Sequence, residues 1–293
     1  MNKQTSPFSP GLVSGFLGVV VFSASLPATK LALSGFDPHF LTFARASLAG
    51  LLSLVIVLAL RQSLPHMSQL MSLAIVSACG IIGFPFLTAQ ALNYISSAQS
   101  LVFTALLPLT TAIFGVILGE SHPKPAFWIF SVLGSVCVAG FALFKGGFGV
   151  MTGNLYMLVA VIICGYGYAE GARLSRKMGG WQVISWALAL TLPLSLSLAF
   201  MCAPHNWSHI PLKAYGGLFY VGFFSMWIGF FLWYRGLSKG GIASIGQLQL
   251  LQPFMGLSIS ALVLHEVISP IMVVVSLAVV GCVAGARHFS KSS

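Results

Sequence analysis

The chain has 293 residues, of which 57% are hydrophobic and only 6% charged, whereas a water-soluble domain carries about a quarter charged residues and could not hide this much apolar surface. Apolar runs reach the roughly 20 residues that cross a hydrocarbon core of about 30 Å. They do not alternate apolar with polar, which excludes an outer-membrane barrel and leaves an all-α polytopic membrane protein. The net charge of +10 is scattered through short connections rather than gathered in a basic stripe among aromatics, so no nucleic-acid partner is expected.

In chain order, Met1 to Pro10 is a short polar leader. The apolar run after it, about Gly11 to Leu33, is too long for the core of a signal peptide and reads as segment one. Segment two is expected at Pro38 to Leu60, three at Ser68 to Leu92, four at Ala98 to Gly119 and five at Pro123 to Phe144. Beyond the glycine-rich Gly146 to Gly149 come six at Gly153 to Leu174, seven at Trp181 to Ala203, eight at Leu212 to Tyr234, nine at Ile242 to Leu264 and ten at Pro270 to Ala286. The connections are short and leave no soluble domain for a nucleotide or a catalytic head. Cys79, Cys137, Cys164, Cys202 and Cys282 fall inside segments without metal-ligand spacing, so they read as small core residues, with no metal and no cofactor expected. A G-x-G pattern at Gly165 and Gly167 lies inside segment six and makes no phosphate cradle.

Segment four, Ala98 to Glu120, occurs twice. An offset of 145 places Ala98 on Ala243, Thr104 on Gln249, Pro108 on Pro253 and Thr111 on Gly256, and only the closing Glu120 and Glu266 slip by one. Ten transmembrane helices thus divide into two five-helix repeats, residues 1–148 and 149–293, and an odd number per repeat inverts the second relative to the first. Placing the amino terminus in the cytoplasm gives that side Lys3, Arg61, Lys124, Arg173, Arg176, Lys177, Arg235, Lys239, Arg287 and Lys291. The other side receives Lys30, Lys145 and Lys213. The asymmetry puts both termini in the cytoplasm.

Pro108 and Pro253 each remove one backbone hydrogen bond near mid-membrane and bend their helices, which makes them candidate hinges. Around Pro253, Gln249, Gln252, Gly256 and Ser260 follow the spacing of one helical face, where amides either line a watery cavity or cross-link helices. In segment eight, a run of aromatics surrounds Trp227, which sits between Gly222 and Gly229 as a substrate contact or as packing. Tyr166 and Tyr168 lie at similar depth in segment six and need hydroxyl partners if buried. Of the four carboxylates, Asp37 lies in a connection. Glu120 and Glu266 precede helix starts that they are expected to cap, and Glu170 stands three residues before Arg173, the spacing of a local ion pair. His39, His66, His122, His205, His209, His265 and His288 all lie at segment ends, so mid-membrane holds no evident proton carrier. Lys30 and Arg45 either snorkel to the interface or line a pathway that attracts a carboxylate.

The five-plus-five plan, the paired endings Leu118 to Glu120 and Leu264 to Glu266, and the run Ala91 to Ala98 together resemble the drug/metabolite transporter superfamily, in particular its EamA-type exporters. This sequence departs from the family pattern at His265 and in the GYGYAEGAR stretch of segment six. The resemblance implies a bacterial inner-membrane exporter of amino acids and other small metabolites, with helices of both repeats around a central cavity that opens alternately to the two sides. Within that frame the expected substrate pathway combines Gln90, Tyr94, Thr104, Tyr166, Trp227, Gln249 and Gln252 with Arg45. Two fused copies remove the need to dimerise, so a monomer is expected. Efflux of cationic drugs is the alternative, and the missing mid-membrane carboxylate argues against it. Without clustered His, Asp or Glu, an enzyme acting on lipid is not expected, and the mid-segment prolines and polar face make a scaffold or receptor the weaker reading.

Overall fold

The computed structural model describes residues 10–119, 125–144, 148–240 and 245–288. Every element among them is helical. Seven helices are long and apolar enough to cross a membrane: Pro10–Ala32, Pro38–Ala59, Met67–Ala91, Ser97–Ile117, Val150–Met178, Gly180–Met201 and Leu212–Lys239. Shorter apolar stretches follow at Leu248–Leu264 and Pro270–Cys282, and Pro125–Phe144 is a further apolar helix. Segment six is longer than expected, running from Phe148 to Met178. Large apolar side chains such as Val55, Ile129, Val132 and Leu262 stay exposed, as they do where the solvent is hydrocarbon.

Local chemistry accounts for several helix ends. Pro38 occupies the first turn of segment two, where its missing N–H costs nothing, and Asp37 accepts from the His39 N–H at 2.8 Å. His66 and Gln69 cap segment three reciprocally.

Segments one, three, four, eight and nine are interrupted, segment one at Ala24 between Pro10–Ser23 and Ser25–Ala32. In segment three a wide π-type stretch, Ser77–Gly83, precedes Pro85, whose ring cannot sit over the carbonyl one turn back. The wide stretch in segment eight is Tyr220–Gly229, and under the offset of 145 it covers the equivalents of Ser77–Gly83. Segment four breaks between Thr104 and Leu107, immediately before Pro108. Segment nine is wound as a tight 3-10 helix over Gly246–Leu251 before the α-helix Gln252–Leu264, which carries Pro253 in its first turn.

The packing follows the same symmetry. Segment two packs on seven, four on nine and five on ten; one on eight is matched by six on three. Close approach between one and eight depends on glycine: a methyl on Gly236 would lie 2.7 Å from the Gly15 Cα. At one end of the bundle the connection 33–37 meets 202–211, with a methyl on Gly35 falling 2.8 Å from Ile210. At that end too, Lys30 Nζ donates to the Leu92 carbonyl, at the carboxyl terminus of segment three where a helix favours a cation. Lys30 thus ties segments one and three together.

Glu266 corrects the expected capping. Its carboxylate does not cap segment ten. It accepts from the Ser97 N–H at 3.0 Å, the Ala98 N–H at 2.7 Å and the Ser97 hydroxyl at 2.9 Å. Ser96 Oγ takes the Gln99 N–H at 3.0 Å and the Ser96 carbonyl takes Ser100, so the first four N–H groups of segment four are all satisfied. The charge is placed by His265, which adopts φ 53°, the left-handed conformation that Gly119 takes with φ 79° at the end of segment four. Glu120 lies outside the described residues.

Candidate functional site

The interrupted helices enclose a cavity of about 30 Å³, room for about two waters. Three pairs of its lining residues are equivalent under the repeat: Gly80 with Ser225, Pro85 with Phe230, and Leu107 with Gln252. Gly80 and Ser225 belong to the two wide stretches, while Leu107 and Gln252 stand directly before the two prolines. Each helix break thus delivers a wall position, and the cavity sits where the two halves of the chain meet.

One side of the cavity is aromatic. Phe22 and Phe230 meet edge to face at 5.2 Å between centroids, and Tyr168 lies 5.9 Å from Phe230 and 6.4 Å from Phe22. Trp233 backs this layer at 5.9 Å from Tyr168. The polar side is supplied by Ser25, Thr29, Arg45, Thr88, Ser225 and Gln252. Ser25 and Ser225 share a hydrogen bond of 2.7 Å that joins segments one and eight. Thr29 donates to the Ser25 carbonyl and Thr88 to the Pro85 carbonyl.

Arg45 is the unusual member. Only 5% exposed, it makes one long contact from Nη2 to Ser225 Oγ at 3.5 Å, and its Nε has no partner among the described residues. The described carboxylates are engaged elsewhere: Asp37 with His39 at 2.8 Å, Glu170 with Arg173 at 2.7 Å, and Glu266 with Ser97. An ion in this position costs several kcal/mol unless something of opposite sign meets it. Gln252, also 5% exposed, presents the complementary group, a buried amide carbonyl oxygen without a partner among the described residues.

Of the pathway residues expected from sequence, Arg45 and Gln252 line this cavity and the others are not among its lining residues. Gln249 is buried beside Tyr168, one turn before Gln252, with its amide nitrogen unpartnered among the described residues. Thr104 Oγ1 turns back to the Leu101 carbonyl at 2.7 Å. Trp227 donates from Nε1 to Ser185 Oγ at 3.2 Å and stacks on Phe231 at 5.8 Å, which makes it a link between segments eight and seven. Tyr166 packs on Phe114 at 5.1 Å. Tyr94 is 47% exposed and stacks on Tyr156, and Gln90 is half-buried in the last turn of segment three. Glu170 forms the expected pair with Arg173, yet it is 1% exposed and its second oxygen has no partner among the described residues. Sequence reasoning did not single out Phe22, Ser25, Ser225 or Phe230. Carrying the 145 offset from segment four into segments three and eight would have paired Ser225 with Gly80 and Phe230 with Pro85.

Two like helical halves closing on a shared, partly polar cavity inside an apolar bundle define a membrane transporter of the repeated type. The chain belongs to the EamA-like transporter family, whose model matches residues 9–143 and again 151–286. It is 54% identical to the uncharacterized transporter YdeK of Bacillus subtilis over 99% of this chain and 100% of that protein. More distant relatives are a probable terminal-alkyne amino-acid exporter of Streptantibioticus cattleyicolor, 22% identical over 88% of this chain and 86% of its own, and an S-adenosylmethionine/S-adenosylhomocysteine transporter of Chlamydia muridarum, 26% identical over 72% and 69%. A solved crystal structure superposes with a TM-score of 0.67 over 95% of this chain and 98% of its own at 18% identity, a likeness of fold.

Proposed function

We propose that the chain exports amino acids, aromatic ones included, and related small metabolites across the bacterial inner membrane by alternating access. In this reading ten helices form two inverted repeats, residues 1–148 and 149–293, both termini are cytoplasmic, and a single chain suffices. The observation that carries it is the position of the cavity. Six of its fourteen lining residues are equivalent pairs from the two halves, and four of these stand at helix interruptions, so rocking one half against the other would expose the same groups first to one side and then to the other. The relatives with named substrates move amino acids or amino-acid derivatives, which supports the substrate class. Cation efflux is the weaker reading, because an arginine and no carboxylate lines the cavity.

Counterflow into proteoliposomes loaded with unlabelled solute tests this reading. Labelled phenylalanine or another amino acid is expected to accumulate transiently, at the same rate with and without a proton gradient. Accumulation of organic cations alone would establish the alternative, and accumulation of no solute would remove the transporter reading. A rate that follows the gradient would overturn the absence of a proton carrier and direct attention to Glu170.

A further inference from the structure

We infer that the cavity recognises its substrate as a zwitterion, with Arg45 of the first half receiving a carboxylate and Gln252 of the second receiving an ammonium group. The inference rests on the export reading above and narrows it to a ligand chemistry and two residues. Arg45 and Gln252 both line one cavity, and each carries a buried polar atom of opposite character, the Nε donor and the Oε1 acceptor, without a partner among the described residues. Folding ordinarily leaves very few such groups, and each one costs stability until a partner arrives. A carboxylate meets the guanidinium with the geometry that makes these hydrogen bonds strong. An ammonium group meets an amide oxygen without needing a buried anion. An α-amino acid carries both, and its side chain would face the aromatic layer of Phe22, Tyr168 and Phe230.

The site also couples ligand to motion. One pole of the substrate is held by each half, so the ligand bridges the two repeats, and only a molecule bearing both groups engages both. The present cavity has room for about two waters, less than phenylalanine needs, so binding requires the halves to part, and the affinity reports the open state.

The test is binding to the purified protein in lipid nanodiscs by isothermal titration, with three probes of one shape: phenylalanine, phenylpropionate without the ammonium, and phenethylamine without the carboxylate. Phenylalanine is expected to bind at least tenfold more tightly than either analogue. In Arg45→Gln the phenylalanine affinity falls at least tenfold while phenethylamine changes little; in Gln252→Leu phenylalanine weakens and phenylpropionate does not. Phenethylamine binding as tightly as phenylalanine in the unaltered protein would overturn the inference without recourse to any variant, as would phenylalanine bound equally by Arg45→Gln. Failure of counterflow with these binding differences intact would instead remove the export reading and leave the zwitterion site standing.

Discussion

Arg45 and Gln252 face one cavity from different halves of the chain, and each buries a polar atom that no described residue satisfies. Replacing Arg45 with glutamine is therefore expected to raise the melting temperature of the empty protein in detergent, since an unpaired buried charge is removed. The upward shift that phenylalanine gives the unaltered protein should vanish in the variant. A large fall in the melting temperature of the empty variant would show instead that Arg45 holds the bundle together.

Glu266 ties the end of segment nine to the start of segment four. Its carboxylate takes two backbone N–H groups and a hydroxyl of the opposite half, and the amino-terminal dipole of segment four favours its charge. In Glu266→Gln one of those oxygens becomes an NH₂ aimed at a donor. The expected loss is about 1–3 kcal/mol, seen as a lower melting temperature, while Ser97→Ala removes the hydroxyl contacts to Glu266 and to Ser260 Oγ and leaves both backbone N–H contacts to the carboxylate. Equal stability of Glu266→Gln and the parent protein would contradict the capping account.

His265 and Gly119 hold the same left-handed turn at equivalent ends, with φ of 53° and 79°. A side chain there costs about 1 kcal/mol relative to glycine. His265→Gly should stabilise by roughly that amount, and Gly119→Ala should destabilise to a similar extent through its backbone angle alone, since nothing among the described residues lies within 4 Å of the added methyl. Opposite signs in the two variants are the measurement; the same sign in both would refute the shared turn.

Pro108 and Pro253 each open a new helix directly after an interruption. Restoring both missing N–H groups in a Pro108→Ala, Pro253→Ala double variant lets segments four and nine close into continuous helices. The expected result is normal folding with counterflow slowed at least tenfold. Unchanged counterflow would mean that the breaks shape the cavity wall without acting as hinges.

The membrane class, the helical character and the repetition of one family unit were legible because they rest on composition and on a repeat visible in segments four and nine. The direction of Glu266 was not, since a capping carboxylate reaches whichever helix start packs beside it, and that is a tertiary fact. Arg45 and Gln252 were legible as candidates because an ion or an amide at membrane depth always requires explanation. Trp227 shows the converse: its indole N–H found Ser185 on segment seven, a partner that no spacing within segment eight announces. Ser25 and Ser225 escaped notice because serines are common in these helices, and their pairing across 200 residues exists only in the folded bundle.

Gly80 and Ser225, equivalent under the repeat and both in the cavity wall, offer the most direct test of that cavity as the transport site. A methyl on Gly80 would meet only the Phe230 ring at 3.5 Å, so a thiol fits. In a background with the five native cysteines replaced, Gly80→Cys and Ser225→Cys should each react with a small hydrophilic maleimide, and saturating phenylalanine should slow both reactions at least fivefold. Labelling at a rate that phenylalanine leaves unchanged at both positions would contradict a substrate site between the two halves.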